Sequence, residues 1–120
     1  MTVTDVVSKA DELRPNVLRL SQKRDWLYAL EMKIREFMQM YEDDEADDMF
    51  LGEENALFVL PNGMEDMYVY YLLSMMSLAS CDIAMYNNYT AMFNQMYKDW
   101  QRKYRREHLP SKNTKSEVRV

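Results

Sequence analysis

Residues 67–104 read MYVYYLLSMMSLASCDIAMYNNYTAMFNQMYKDWQRKY, with no glycine and no proline. Continuous helix from residue 64 to residue 108 would exceed forty residues without a heptad seam, so the stretch is read as two helices. The break belongs at Ser80-Cys81-Asp82, because serine and aspartate compete for backbone groups and cap helix ends. The expected pair has about 17 and 25 residues and packs antiparallel. On the second helix Tyr89, Met92, Phe93, Met96, Trp100 and Tyr104 form the expected buried stripe, Asp99 and Lys103 sit at the spacing of an ion pair, and Pro110 ends the run. The aromatic and methionine content exceeds what one small helical core uses. Tyrosine joins an apolar ring to a polar tip and methionine is adaptable filler, so the surplus points to packing against copies or a fixed partner.

Upstream, Thr2 and Asp5 have the spacing of a capping box, and Val3, Val6, Val7 and Ala10 share one helical face up to Pro15. Residues 16–20 are a connector. Ser21 is the expected N-cap of a long amphipathic helix over 22–41, whose stripe is Trp26, Leu27, Leu30, Ile34, Phe37, Met38 and Tyr41. Glu31 and Arg35 sit one turn apart in the favourable order. A third helix is expected to start near Met64, where Glu65 and Asp66 complement the positive end of its dipole. The fold class is therefore all-α with four helices: a short one, a long one, then an antiparallel pair.

Charge is distributed unevenly. The chain of 120 residues carries a net −5, which argues against a general nucleic-acid coat. Glu42, Asp43, Asp44, Glu45, Asp47, Asp48, Glu53 and Glu54 fall in one stretch with no basic residue, and residues 98–120 carry a net +5. Like charges one turn apart repel, so residues 42–55 are read as an acidic loop. Residues 56–60 are strand-compatible, either a lone extended segment or a hairpin arm, and Pro61-Asn62-Gly63 is a turn signal. Residues 1–110 form one domain, followed by an extended tail over 111–120 whose final Glu117-Val118-Arg119-Val120 alternates as a strand able to add to a partner sheet.

Little in the chain suggests chemistry. The acidic cluster lacks the glycine and terminal glutamate of a calcium loop. His108 has no second histidine or cysteine for zinc and is read as solvated. Cys81 stands alone and is read as a small inert residue at a helix junction. Two glycines cannot build a phosphate loop. No enzyme activity, cofactor or metal is expected, and no run of residues has the length and apolarity of a membrane span. The N-terminus has neither the basic start nor the apolar core of a secretory leader, and a single cysteine fits a reducing cytoplasm. Lys98, Arg102, Lys103, Arg105 and Arg106 interleave with Trp100 and Tyr104, which leaves a helical DNA-binding or DNA-packaging accessory protein as the second reading.

The order of segments also resembles a known family. Thr2-Val3 with Asp5-Val6, residues 11–16 reading DELRPN, Trp26-Leu27 with Glu31, the Leu60-Pro61 corner, Met67-Tyr68 with Tyr71-Leu72, and Tyr86-Asn87-Asn88 leading to Met92-Phe93-Asn94 carry the likeness. Together they resemble the head-to-tail connector, or adaptor, proteins of long-tailed bacteriophages, over residues 2–110. Where such proteins tend to have Asn-Gly between the last two helices, this chain has Ser80-Cys81, and its acidic loop is longer and more charged. The resemblance implies a non-enzymatic virion protein of the phage neck, assembled in the bacterial cytoplasm. Such proteins form a ring, usually of twelve copies, below the portal protein after packaging. The ring extends the DNA channel, which genomic DNA passes without specific binding, to the next neck or tail protein. It implies portal contacts at Lys112, Lys115, Val118, Arg119 and Val120 of the 111–120 tail, which orders only on docking, with Arg105 and Arg106 at the preceding helix end as further partner contacts. It implies that the acidic loop faces the channel or a neighbouring ring, where it repels DNA phosphate, and that Tyr68, Tyr71, Tyr86 and Tyr97 pack between subunits. A stopper or tail-completion protein of the same neck is the neighbouring alternative.

Overall fold

A computed structural model describes residues 2–41 and 64–108. All regular structure among them is helical: α1 (Val3–Leu13), α2 (Leu20–Gln39), α3 (Glu65–Ala79) and α4 (Ile83–Glu107). The acidic loop, the extended segment with its Pro-Asn-Gly turn, and the C-terminal tail lie outside the described residues.

The expected capping box opens α1. Thr2 Oγ1 accepts from the Asp5 amide at 3.2 Å, and Asp5 Oδ2 accepts from the Thr2 amide at 3.1 Å. Arg14 then leaves the helix in extended geometry and Pro15 follows. The connector is hydrogen-bonded to itself: Asn16 Nδ2 donates to Asp11 Oδ1 at 2.8 Å and to the Arg14 carbonyl at 2.9 Å, while Asn16 Oδ1 accepts from the Leu18 amide. Lys23, only 4% exposed, reaches back from α2 to Asp11 Oδ1 at 2.9 Å. Held this way, the chain turns into α2 at Leu20. Ser21 is therefore already inside the first turn, and the N-cap position belongs to Arg19, which makes no side-chain capping bond.

The break between α3 and α4 falls at the expected tripeptide, and its hydrogen bonds explain it. The Asp82 amide donates to the Ser77 carbonyl at 2.9 Å and the Cys81 amide to the Leu78 carbonyl at 3.0 Å. This is a Schellman closure, with Cys81 at φ 59° in the left-handed position that glycine or asparagine usually fills. Asp82 then caps α4 by accepting from the Met85 amide, and its other oxygen pairs with Arg14 at 3.2 Å. One residue thus ends the turn, starts a helix and ties the turn to α1.

α3 is the central element. Met67, Tyr68, Val69, Leu72, Leu73 and Met76 are buried on it, facing Val3, Val6, Val7 and Ala10 of α1, Leu27, Leu30 and Ile34 of α2, and Phe93 of α4. A helix apolar around most of its circumference is one enclosed by neighbours on several sides. α4 runs antiparallel to α3 and is largely a surface helix, burying only Phe93 and Tyr104. Met92, expected on the buried stripe, is 43% exposed; Tyr97 takes its place on the apolar side by stacking between Phe93 and Trp100.

The α2 stripe differs from its expected form in one respect that matters for stability. Glu31 is fully buried and accepts a hydrogen bond from the equally buried Tyr68 hydroxyl at 2.6 Å. Arg35 lies beside it, its Nε 3.9 Å from Glu31 Oε2. The pair read from its one-turn spacing is inside the molecule.

Candidate interaction surface

The aromatic inventory of α3 and α4 is organised as a ladder. Tyr71 packs on Phe93 with centroids 5.2 Å apart, Phe93 stacks on Tyr97, Tyr97 on Trp100, and Trp100 meets Tyr104. Phe37 and Tyr41 of the α2 end join the same ladder at Trp100 and Tyr104. His108 completes it, stacked 3.8 Å over Tyr104 with Nδ1 3.0 Å from the Tyr104 carbonyl oxygen. It is half-buried, not the solvated residue expected, because the helix end places its ring over its i−4 neighbour. Of the fifteen tyrosine, methionine, phenylalanine and tryptophan residues in 67–104, five are buried, nine are half-buried and only Met92 is exposed. The expected surplus is largely used inside the chain.

Among the four tyrosines expected between subunits, Tyr68 is placed wrongly by that expectation. It is fully buried against Glu31 and reaches no surface. Tyr71, Tyr86 and Tyr97 are half-buried with part of each ring open to solvent. Burial pushes the Tyr71 phenol above its ordinary value, with a smaller push from Tyr86. Burial also raises Tyr97, partly offset by a hydrogen bond to Gln101 and reinforced by Glu36. A raised phenol stabilises the fold while both states are protonated. That contribution is kept below about pH 10, the ordinary phenol value, and is lost as pH climbs through the raised native value. In an alkaline titration followed by phenolate absorbance, Tyr71→Phe and Tyr97→Phe are each expected to remove one phenol that ionises above the ordinary tyrosine range.

The outward side of the α3–α4 hairpin has a property that aromatic content concealed. From residue 67 to residue 97 the only charged residue is Asp82, in a chain that is 29% charged. Asp82 is committed to Arg14. Leu78, Ile83 and Met92 are exposed there at 42%, 54% and 43%, beside exposed Ala84, Asn87, Asn88, Ala91, Asn94 and Gln95. The face shares one property with an interface core, the depletion of charged side chains. The gap between charges was visible in the linear sequence, and measuring it would have found this face.

Comparison with protein-family models, with curated proteins and with solved structures finds no match for this chain.

Beyond residue 97 the helix becomes basic. Lys98, Arg102, Lys103, Arg105 and Arg106 are exposed. Asp99 pairs with Arg102 at 3.4 Å, one residue short of the expected Lys103, and also accepts from Gln95. Arg105 is partly engaged inside the chain: Nε donates to the Tyr41 hydroxyl at 3.2 Å and the guanidinium lies 5.4 Å from the Phe37 ring centre. Trp100 and Tyr104, the aromatics that interleave with these cations in sequence, belong to the ladder and pack on each other. The remaining expected contacts, Lys112, Lys115, Val118, Arg119 and Val120 and the acids of 42–54, lie outside the described residues. Among the described residues no helix is long and apolar enough to cross a membrane.

Proposed function

We propose that this protein is a structural, non-enzymatic assembly component, and specifically a head-to-tail adaptor that forms a ring below the portal of a tailed bacteriophage, in the virion neck. The uncharged outward face of the α3–α4 hairpin carries this reading. A chain of net −5 can gather many copies of itself only where like charges do not meet, and residues 67–97 provide such a surface. In this arrangement the neutral face packs copies laterally, and the acidic and basic segments lie toward the ends that meet the channel, the portal protein and the next neck or tail protein. The segment order that resembles phage connectors supports the same assignment.

The test is association with and without a portal ring, read by light scattering and native mass spectrometry. The unmodified chain is expected to form a closed ring on the portal. Ala91→Glu, which places a charge in the centre of the neutral face, is expected to weaken that assembly by roughly tenfold or more, since burying one unpaired charge costs a few kcal/mol. A chain that remains monomeric in the presence of portal, or an Ala91→Glu variant that assembles normally, overturns the reading.

A further inference from the structure

Two exposed apolar patches lie on different flanks of α3. α4 packs on α3, whereas α1 and α2 pack on α3 and on each other. The outward side of α4 therefore looks away from the connector that joins α1 to α2. That connector carries the other patch: Leu13 and Leu20 are 59% and 49% exposed, and Val17 is fully exposed. It does not show them by being loose. Asn16 bonds to Asp11, to the Arg14 carbonyl and to the Leu18 amide, and Leu18 packs against the core, so Val17 is held out in a fixed geometry. The two flanks differ in relief. On α4 the exposed Ala84, Asn87, Asn88 and Ala91 recur at steps of three and four, a flat strip of short side chains. On the connector Val17 projects.

We propose that the connector of one copy, through Leu13, Val17 and Leu20, packs on the strip Ala84, Asn87, Asn88 and Ala91 of the next copy, head to tail. This rests on the ring reading and names both sides of its lateral contact. Two strips placed face to face would give a two-fold pair that ends at two, whereas unlike patches on different flanks pass the contact on to a further copy. Arg14 pairs with Asp82 at 3.2 Å, so the connector and the start of the strip stand at the same end of the molecule. Neighbours joined this way are shifted little along their helix axes, which lets the succession close as a ring instead of rising as a filament. Charge selects a second copy as the occupant. Residues 13–24 hold four cations and no acid. Arg14 and Lys23 are paired with Asp82 and Asp11, and Arg19, two residues from Val17, is exposed. A chain of net −5 is attracted to such a connector, and the strip brings no charge to be buried. The exposed Met32 of α2 lacks this fit, with Lys33 beside it and Glu36 one turn on. A connector already fixed also loses little freedom on docking.

Site-directed cross-linking tests the contact in the full-length protein. Single cysteines are introduced by Val17→Cys or Ala91→Cys in a Cys81→Ser background, and a short bismaleimide is added in the presence of portal rings. Each variant alone should stay unlinked, and an equal mixture should give a dimer joined from position 17 to position 91. A chain carrying both cysteines should give a ladder that ends at the ring. Val17→Glu should weaken assembly by roughly tenfold or more, because its carboxylate would be buried against uncharged side chains. Its Tm should not move, since a fully exposed side chain supports nothing in the fold. Ala91→Cys linked to itself, or Val17→Glu assembling normally, overturns this contact and leaves the ring reading standing. A parent chain that stays monomeric with portal overturns both. Binding of anionic vesicles that Val17→Glu abolishes while assembly stays intact would assign the connector to a lipid surface, and would overturn the proposal as well.

Discussion

Glu31→Ala is expected to destabilise the protein by about 3–5 kcal/mol, the cost of breaking a buried ion pair from one side. The substitution removes the acceptor of the Tyr68 hydroxyl, which is fully buried, and the counter-charge of Arg35, which is 8% exposed. It also opens a void between Leu27, Leu30 and Ile34 on one side and α3 on the other. Tyr68→Phe keeps the ring and removes only the donor, so its cost should be smaller, about 1–3 kcal/mol. Glu31→Gln keeps shape and an acceptor while dropping the charge, and should fall between the parent and Glu31→Ala. Urea unfolding of these variants and of the Glu31→Gln, Tyr68→Phe double variant separates the contributions. A coupling energy near zero would mean that the 2.6 Å contact does not bind α2 to α3.

That buried group also shows where sequence reasoning reaches its limit. Local features were legible because their causes are local. The Thr2 and Asp5 box, the stop at Pro15, the acidic first turn of α3 and the Ser80 to Asp82 break each depend on residues within one or two turns. The four-helix, all-α class follows from those stops and from periodicity. Burial is not local. Lys23, Glu31 and Arg35 fall with Leu27 on one line of i, i+4 steps, so a stripe judged by its apolar members alone omitted its three charged members. Favourable spacing of Glu31 and Arg35 suits a surface pair as well as an interior one. What decides is the Tyr68 hydroxyl, supplied 37 positions later. Ser21 was misread for a related reason, since the hydrogen bonds of Asn16 and Lys23 to Asp11 set the start of α2. For the candidate interface, aromatic richness drew attention to side chains that the ladder consumes. The informative signal was the absence of charge on the opposite face.

Phe93→Ala is expected to loosen α4 while the rest of the fold persists. α4 spans 25 residues yet buries only Phe93 and Tyr104. Tyr104 is held at the basic end by Phe37 and Tyr41, so Phe93 is the anchor for the neutral half, clasped between Tyr71 and Tyr97 at 5.2 and 5.4 Å. Truncating it costs about 3–5 kcal/mol, the range for a buried phenylalanine. The loss is borne first by the segment whose attachment it removes. Hydrogen exchange should show residues 86–97 losing protection by a larger factor than residues 100–107, with α2 and the buried face of α3 changing least. Met92→Ala, one residue away and exposed, should leave protection almost unchanged. The two variants then separate folding from assembly. If the neutral face packs against neighbouring copies, Met92→Ala weakens association in a fully folded chain, whereas Phe93→Ala weakens it by releasing the helix that presents the face. Uniform loss of protection across all four helices in Phe93→Ala would instead mean that α4 and the core unfold as one unit, and that the hairpin has no separate stability for an interface to draw on.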